Sequence, residues 1–326
     1  MSQIYTNLEA FAEPASVVTI GNFDGVHLGH RRLLGRVIEL ARQLSAAAGV
    51  LTFDPHPARV LAPQRAPKLL TTREQRLELL SATGVDFIVL IPFTCEFSFM
   101  SAEEFAVRVL REGLRARAVV VGENFRFGHR AEGDVGVLRR LGEIYGFAVE
   151  VIPRVDVRGQ PVSSSAIRSL VERGRVGSAC RMLGRPYTIE GRIVPGRGVG
   201  SRQTVPTLNL EPFNELLPAR GVYITRTTEI EGSRTWPSIT NVGVRPTFDG
   251  DSLTVETFLL QNLDGAAPAA IRLSFLRWVR EERKFESPEQ LREQILRDVE
   301  RARSYFRRVQ VFGGLKGSAV TPQNLR

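Results

Sequence analysis

Two histidines three residues apart, His27 and His30, stand behind a glycine-rich turn in the stretch TIGNFDGVHLGH, residues 19–30. Three kinds of chemistry use such a pair. Imidazoles bind zinc, and His56 in DPHP offers a third ligand. Against zinc, HLGH straddles a turn and a helix start rather than one helix face, and the glutamate of a hydrolytic HExxH is absent. Alternatively, both rings simply cap and pack. The third reading explains more of the string. A strand, a glycine-rich turn and a helix N-terminus form an anion site, because free backbone N–H groups and the helix dipole favour phosphate. Gly21, Gly25 and Gly29 let a nucleotide approach the backbone closely. Imidazoles there can donate to a phosphate as its charge redistributes, the arrangement needed for adenylyl transfer from ATP.

The elements that must hold this turn alternate along the first half of the chain. SVVTIG, GVLTFD, VDFIVLIPF, RAVVVG and GFAVEVIP read as near-continuous apolar strands. Between them lie helices, two with capping boxes, at Thr72/Gln75 and Ser101/Glu104. This pattern predicts a doubly wound parallel sheet covered on both faces, with ligands beyond the carboxyl ends of the strands. The unusual residues fall there: GNFDGVHLGH, DPHP and GENFRFGH follow the first, second and fourth strands. Two short helices, SSSAIRSLVERG and RVGSACRMLG, come next. From Tyr187 onward, short strands separated by Gly and Pro predict an antiparallel barrel or sandwich. A closing helix starts at Ser287 as N-cap, with Gln290 completing the box. Leu291, Ile295, Val299, Ala302 and Phe306 form its apolar stripe.

At 326 residues the chain suits about two domains. No apolar run is long enough to span a bilayer, and MSQIYTNLEAFAEPAS lacks the pattern of a secretory signal. Cys95 and Cys180, far apart, make no disulfide framework. A cytoplasmic protein without membrane partners is expected. The net charge of +9 raises nucleic-acid binding. Arginine carries almost all of it, with lysine only at 68, 284 and 316, and the arginines are spread among glutamates rather than gathered in an arm. Small phosphorylated substrates fit that charge, so no nucleic-acid partner is expected. The sequence is compatible with a homo-oligomer.

The motifs also resemble those of a known family. GNFDGVHLGH is similar to the HxGH nucleotidyltransferase signature of FMN adenylyltransferases, and VVVGENFRFG (119–128) to their second motif. VSSSAIRSLVERG resembles their SSTxIR helix. VPTLN (205–209) and TNVGVRPTF (240–248) resemble riboflavin kinase motifs. In this order, from about Val17 to Val309, they resemble the bifunctional bacterial riboflavin kinase/FAD synthetase family. The resemblance implies a Rossmann-like adenylyltransferase domain (1–185), a kinase β-barrel with a closing helix (186–312) and a flexible tail (313–326).

For the first site, the resemblance implies FMN and ATP giving FAD and pyrophosphate. His27 and His30 would contact the ATP phosphates, joined by Arg168 and Ser164, while Gly21, Phe23, Asp24 and Gly29 shape the nucleotide pocket. His56, Asn124, Phe125 and Phe127 would lie near the flavin, although loop packing explains the two phenylalanines equally well. The attacking FMN phosphate is already ionised, so no general base is needed. The second site would convert riboflavin and ATP to FMN and ADP. Its alcohol nucleophile benefits from a base, and all four histidines lie at or before His129, so the resemblance points to Glu256. Thr207 and Asn209 would hold Mg²⁺ and the ATP phosphates, and Gly198 and Gly200 resemble an ATP phosphate loop, with a Gly-rich hairpin as the plain alternative.

The barrel half departs from the family pattern. Thr204 and Val205 replace a glycine and an aromatic, Phe258 and Gln261 replace a His and an Asp, and a later YG is missing. A second reading follows: an adenylyltransferase whose barrel only binds flavin or a partner.

Overall fold

The computed structural model describes residues 2–195, 207–247, 250–263, 265–283 and 285–313. Gly198, Gly200, Thr204 and Val205 lie outside the described residues, as does the expected tail from residue 314 on. By contacts the chain divides into two compact units, Met1–Ser164 and Ser165–Arg326.

In chain order the first unit comprises β1 (Gln3–Tyr5), β2 (Ser16–Ile20), α1 (Leu28–Gln43), β3 (Ala47–Asp54) and α2 (Pro57–Leu61). Then come α3 (Arg73–Ser81), β4 (Phe87–Pro92), α4 (Cys95–Ser98) and α5 (Ala102–Glu104). Next are β5 (Ala116–Gly122), α6 (Val135–Tyr145), β6 (Ala148–Ile152) and a small hairpin, β7 (Asp156–Val157) and β8 (Gln160–Pro161). Six strands form one sheet in the order β1-β4-β3-β2-β5-β6, every pair parallel. Every residue of β2 is buried, as expected for a central strand covered on both faces. The chain steps from β2 through β3 to β4 on one side, then resumes at β5 on the other. That reversal opens a crevice at the carboxyl ends of β2 and β5.

Two features differ from the sequence reading. The edge strand β1 was not expected, since three residues carry no measurable periodicity. Pairing with β4 and the packing of Tyr5 against Phe11 and Phe87 hold it there. The helix begun by the Ser101/Glu104 box is α-helical only through Glu104, and Phe105–Gly113 continues it as a π-helix. Phe105, Val109, Leu110 and Leu114 are buried, a spacing of four to five residues that suits the wider winding.

The second unit holds α7 (Ser164–Glu172, beginning at the boundary), α8 (Val176–Leu183), β9 (Tyr187–Val194), β10 (Thr207–Pro212) and β11 (Gly221–Glu229). It continues with β12 (Thr235–Thr247), β13 (Gly250–Leu259), β14 (Ala270–Arg280) and α9 (Pro288–Gly313). Its strands close a barrel in the order β10-β13-β12-β11-β14-β9, all antiparallel. Inside, Thr225, Thr227, Ser238, Thr240 and Thr257 are fully buried, their hydroxyls joined at 2.7–2.8 Å, so the polar interior is internally satisfied. Val299 and Ala302 of α9 pack on Val222, Ile224 and Ile239 of the barrel's outer face. The expected stripe begins one turn later than the sequence indicates, because Leu291 is 41% exposed. The Ser287 hydroxyl accepts from the Gln290 N–H, but the Gln290 side chain reaches the Glu286 N–H instead of closing the box.

Candidate active sites

The neighbouring strands β3, β2 and β5 release the DPHP segment, the 21–27 turn and the GENFRFG loop at one edge of the parallel sheet. His27 is the N-cap of α1, and its Nδ1 accepts from the His30 N–H at 3.3 Å. The two imidazoles stack with centroids 3.6 Å apart and planes 15° apart. Phe23 meets His30 edge-on at 5.0 Å. A Cβ on Gly29 would sit 3.2 Å from the His27 ring, so glycine leaves room for that ring beside the helix. Among the described residues, no group of three or more His, Cys, Asp or Glu is placed to hold a metal.

The turn itself is strained. Phe23 and Val26 adopt φ of 50° and 38°, a region that side chains with a Cβ rarely enter. Several long-range bonds hold it. The Asp24 carboxylate, 3% exposed, accepts from the Leu70 N–H at 2.9 and 3.1 Å, and from the Thr71 N–H and hydroxyl at 3.2 Å. The Ser164 hydroxyl donates to the Asp24 carbonyl at 2.9 Å. These bonds of Asp24 and Ser164 fix the path of the turn. Phe23 likewise sits 1% exposed with Val26, Leu34, Val50 and Leu80. Asp24→Ala strands two buried N–H groups that now meet a carboxylate. It should lower stability by about 3 kcal/mol, readable as a lower denaturant midpoint.

The proposed flavin residues separate by environment. Phe127 is 7% exposed, stacked on Phe125 at 5.5 Å and packed on Phe105, and so belongs to the core. Phe125 is half-buried and Asn124 exposed. The Nδ1 of His56 accepts from the Ala58 N–H at 3.2 Å, capping α2. Phe53, Phe93 and Phe97 form an aromatic cluster with centroids 5.6–5.9 Å apart, which no local sequence pattern marks. Arg168, on α7 in the second unit, donates to the Ser165 hydroxyl at 3.4 Å.

In the barrel, strand alternation buries Val255 and Thr257 at 1% and 0% while Glu256 is half-buried on the opposite face. The register aligns Glu256 with Asn209 of β10 on one side and Asn241 of β12 on the other. Thr207, two residues before Asn209, shares its face. Glu256 and Asn241 line a cavity of about 360 Å³ whose far wall includes Arg280, Phe285 and Asp298. That wall is itself ordered. Arg280 donates to Asp298 at 2.8 Å, and Asp298 accepts from Gln294 at 2.9 Å. Arg280 and Arg283 lie over the Phe285 ring at 5.8 and 5.0 Å.

Comparison with known proteins agrees with these two units. An FAD synthetase family model matches residues 10–166 and a riboflavin kinase model residues 183–306. The bifunctional riboflavin kinase/FMN adenylyltransferase of Escherichia coli K12 is 33% identical over 92% of this chain and 96% of its own. The chain belongs to that family. Its namesake from Pseudomonas fluorescens is 35% identical over 88% of this chain and 92% of its own. A crystal structure described as a macrolide-efflux protein from Streptococcus pneumoniae superposes with a TM-score of 0.83 at 26% identity, covering 93% of this chain and 98% of that one. No described helix here is long and apolar enough to cross a membrane. The family's motifs had already singled out TNVGVRPTF, which carries Asn241. Arg280, Phe285 and Asp298 had no local signal, since they come from β14, the segment after it and α9, which meet at the cavity only in the fold.

Proposed function

We propose that the chain makes FAD from riboflavin in two ATP-dependent steps, one in each unit. The reading rests on the agreement of both matched domains with the local chemistry at each motif. In the barrel, a FMN-forming site is supported most directly by Glu256 opening on the cavity with Asn209 and Asn241 in register.

In the first unit an FMN phosphate oxygen attacks the α-phosphorus of ATP, and pyrophosphate leaves. The strained turn and the N-terminus of α1 provide backbone donors, and His27 and His30 supply side-chain donors to the phosphates. Gly21 and Gly29 keep the backbone approachable. Phe125, Asn124 and His56 border the flavin side, whereas Phe127 acts through packing beneath Phe125.

In the second unit the 5′-hydroxyl of riboflavin attacks the γ-phosphorus, Glu256 takes the hydroxyl proton and ADP leaves. Thr207 and Asn209 fit Mg²⁺, since both present oxygen donors from one strand face beside Glu256. The ion would draw charge from the phosphate oxygens. Treatment with EDTA should abolish both steps, with added Mg²⁺ restoring them, as read by flavin chromatography. Persistent FMN formation in chelator would remove the metal from the second site. We place the enzyme in the cytoplasm, acting on small molecules.

The defining experiment incubates the protein with Mg-ATP and either riboflavin or FMN. FAD from both supports two working sites. FAD from FMN alone supports the second reading, a barrel that binds without turnover.

A further inference from the structure

Helix α3 buries the wrong residues for an ordinary amphipathic helix. Arg76 and Gln75 are 4% and 3% exposed, while Leu77 and Leu79 are only half-buried. Burying a guanidinium is costly unless its protons are placed. Arg76 places two of its nitrogens on backbone carbonyls, while its buried Nε has no hydrogen-bond partner. Nη1 donates to the Asn22 carbonyl at 3.1 Å and Nη2 to the Phe53 carbonyl at 2.9 Å. The Asp54 carboxylate lies 3.8 Å away and is shared with Arg73 at 3.6 Å. Burial holds the group below its ordinary pKa, with Asp54 and Asp24 opposing that shift in part.

The two carbonyls belong to different segments, a turn and a strand. Asn22 lies in the turn that carries His27 and His30, and Phe53 lies near the end of β3, where DPHP begins. The Asn22 carbonyl also accepts from the Thr52 hydroxyl at 3.3 Å. The next residue, Phe23, is the first of the strained positions. A charge drawing on the Asn22 carbonyl polarises the peptide whose N–H belongs to Phe23, which makes that N–H a stronger donor.

We propose that Arg76 is a positioning residue of the first site, tying the histidine-bearing turn to the β3 exit and holding the strained turn in its phosphate-binding form. It touches no substrate. Its effect passes through the backbone of residues 22 and 53, and it rests on the reading of this unit as the adenylyltransferase. A lysine cannot replace it, since one ammonium cannot span two carbonyls with separate nitrogens.

The test is steady-state kinetics of FAD formation from FMN and Mg-ATP for wild type, Arg76→Met and Arg76→Lys. Riboflavin phosphorylation in the same preparations serves as internal control. We expect kcat for FAD to fall roughly 10- to 100-fold in Arg76→Met and less in Arg76→Lys, with KM for both substrates within about threefold and the kinase rate retained. If Arg76→Met proves insoluble, Arg76→Lys decides alone: a kcat lowered about fivefold or more at unchanged KM supports the proposal. Wild-type kcat in the soluble variants overturns it. So does a fall in kcat that only matches the loss of folded protein, because then Arg76 serves stability alone. Absence of FAD from the wild-type protein removes the adenylyltransferase reading, and this proposal with it.

Discussion

The His30→Ala protein, given FMN and Mg-ATP, should form FAD about 10²–10³-fold more slowly than wild type, while FMN formation from riboflavin stays near normal. His30 is a cleaner target than His27. The His27 ring caps α1 by accepting from the His30 N–H, and alanine at position 30 keeps that N–H. Alanine at 27 would instead remove the cap, at a cost of about 1 kcal/mol, and mix stability with chemistry. His30→Ala removes one imidazole donor together with the stack on His27 and the edge contact with Phe23. A donor aimed at developing phosphate charge acts more strongly in the transition state than in the ground state, so the loss should appear in kcat more than in KM. Adenylyl transfer at the wild-type rate in the folded variant would return the pair to a capping role.

Much of this architecture was legible locally. β2 reads as a buried strand because all five residues of SVVTI are apolar or small enough to pack in a covered sheet, and all five are buried. The Thr72/Gln75 and Ser101/Glu104 boxes formed as their spacing required, since a capping box is closed within four residues. What has no local signal depends on partners distant in sequence. The Asp24 carboxylate accepts from Leu70 and Thr71, 46 and 47 positions away, a link with no local signal. Arg76, in REQRLELL, reads as a solvated charge on a helix face. Its burial follows from carbonyls in the turn after β2 and near the end of β3. Phe125 and Phe127 are indistinguishable in sequence, and the pairing of Phe127 with Gly133 sends only the latter ring into the core. The histidine turn was legible as an anion site because its signal is local: strand, glycines and helix start lie within a dozen residues.

Glu256→Ala is expected to do the reverse of His30→Ala: FMN formation falls about 10²–10⁴-fold, and FAD formation from supplied FMN is unchanged. The argument begins with what else could take the proton. No histidine lies in this unit, and an alcohol at neutral pH is a weak nucleophile without a base. Other carboxylates do reach the cavity, so the prediction must separate them. Asp298 is 3% exposed, and its two carboxylate oxygens already accept from Arg280 and Gln294. Glu282 also lines the cavity, but on the segment after β14 rather than on a strand between Asn209 and Asn241. Glu256 combines access to the cavity with a place beside the proposed magnesium residues. Glu256→Gln should match alanine, because the amide keeps the shape but cannot accept the proton. Activity retained in Glu256→Gln and lost in Glu282→Gln would move the base to the other wall. Activity absent from the wild-type barrel would favour a flavin-binding module and leave the first site's chemistry intact.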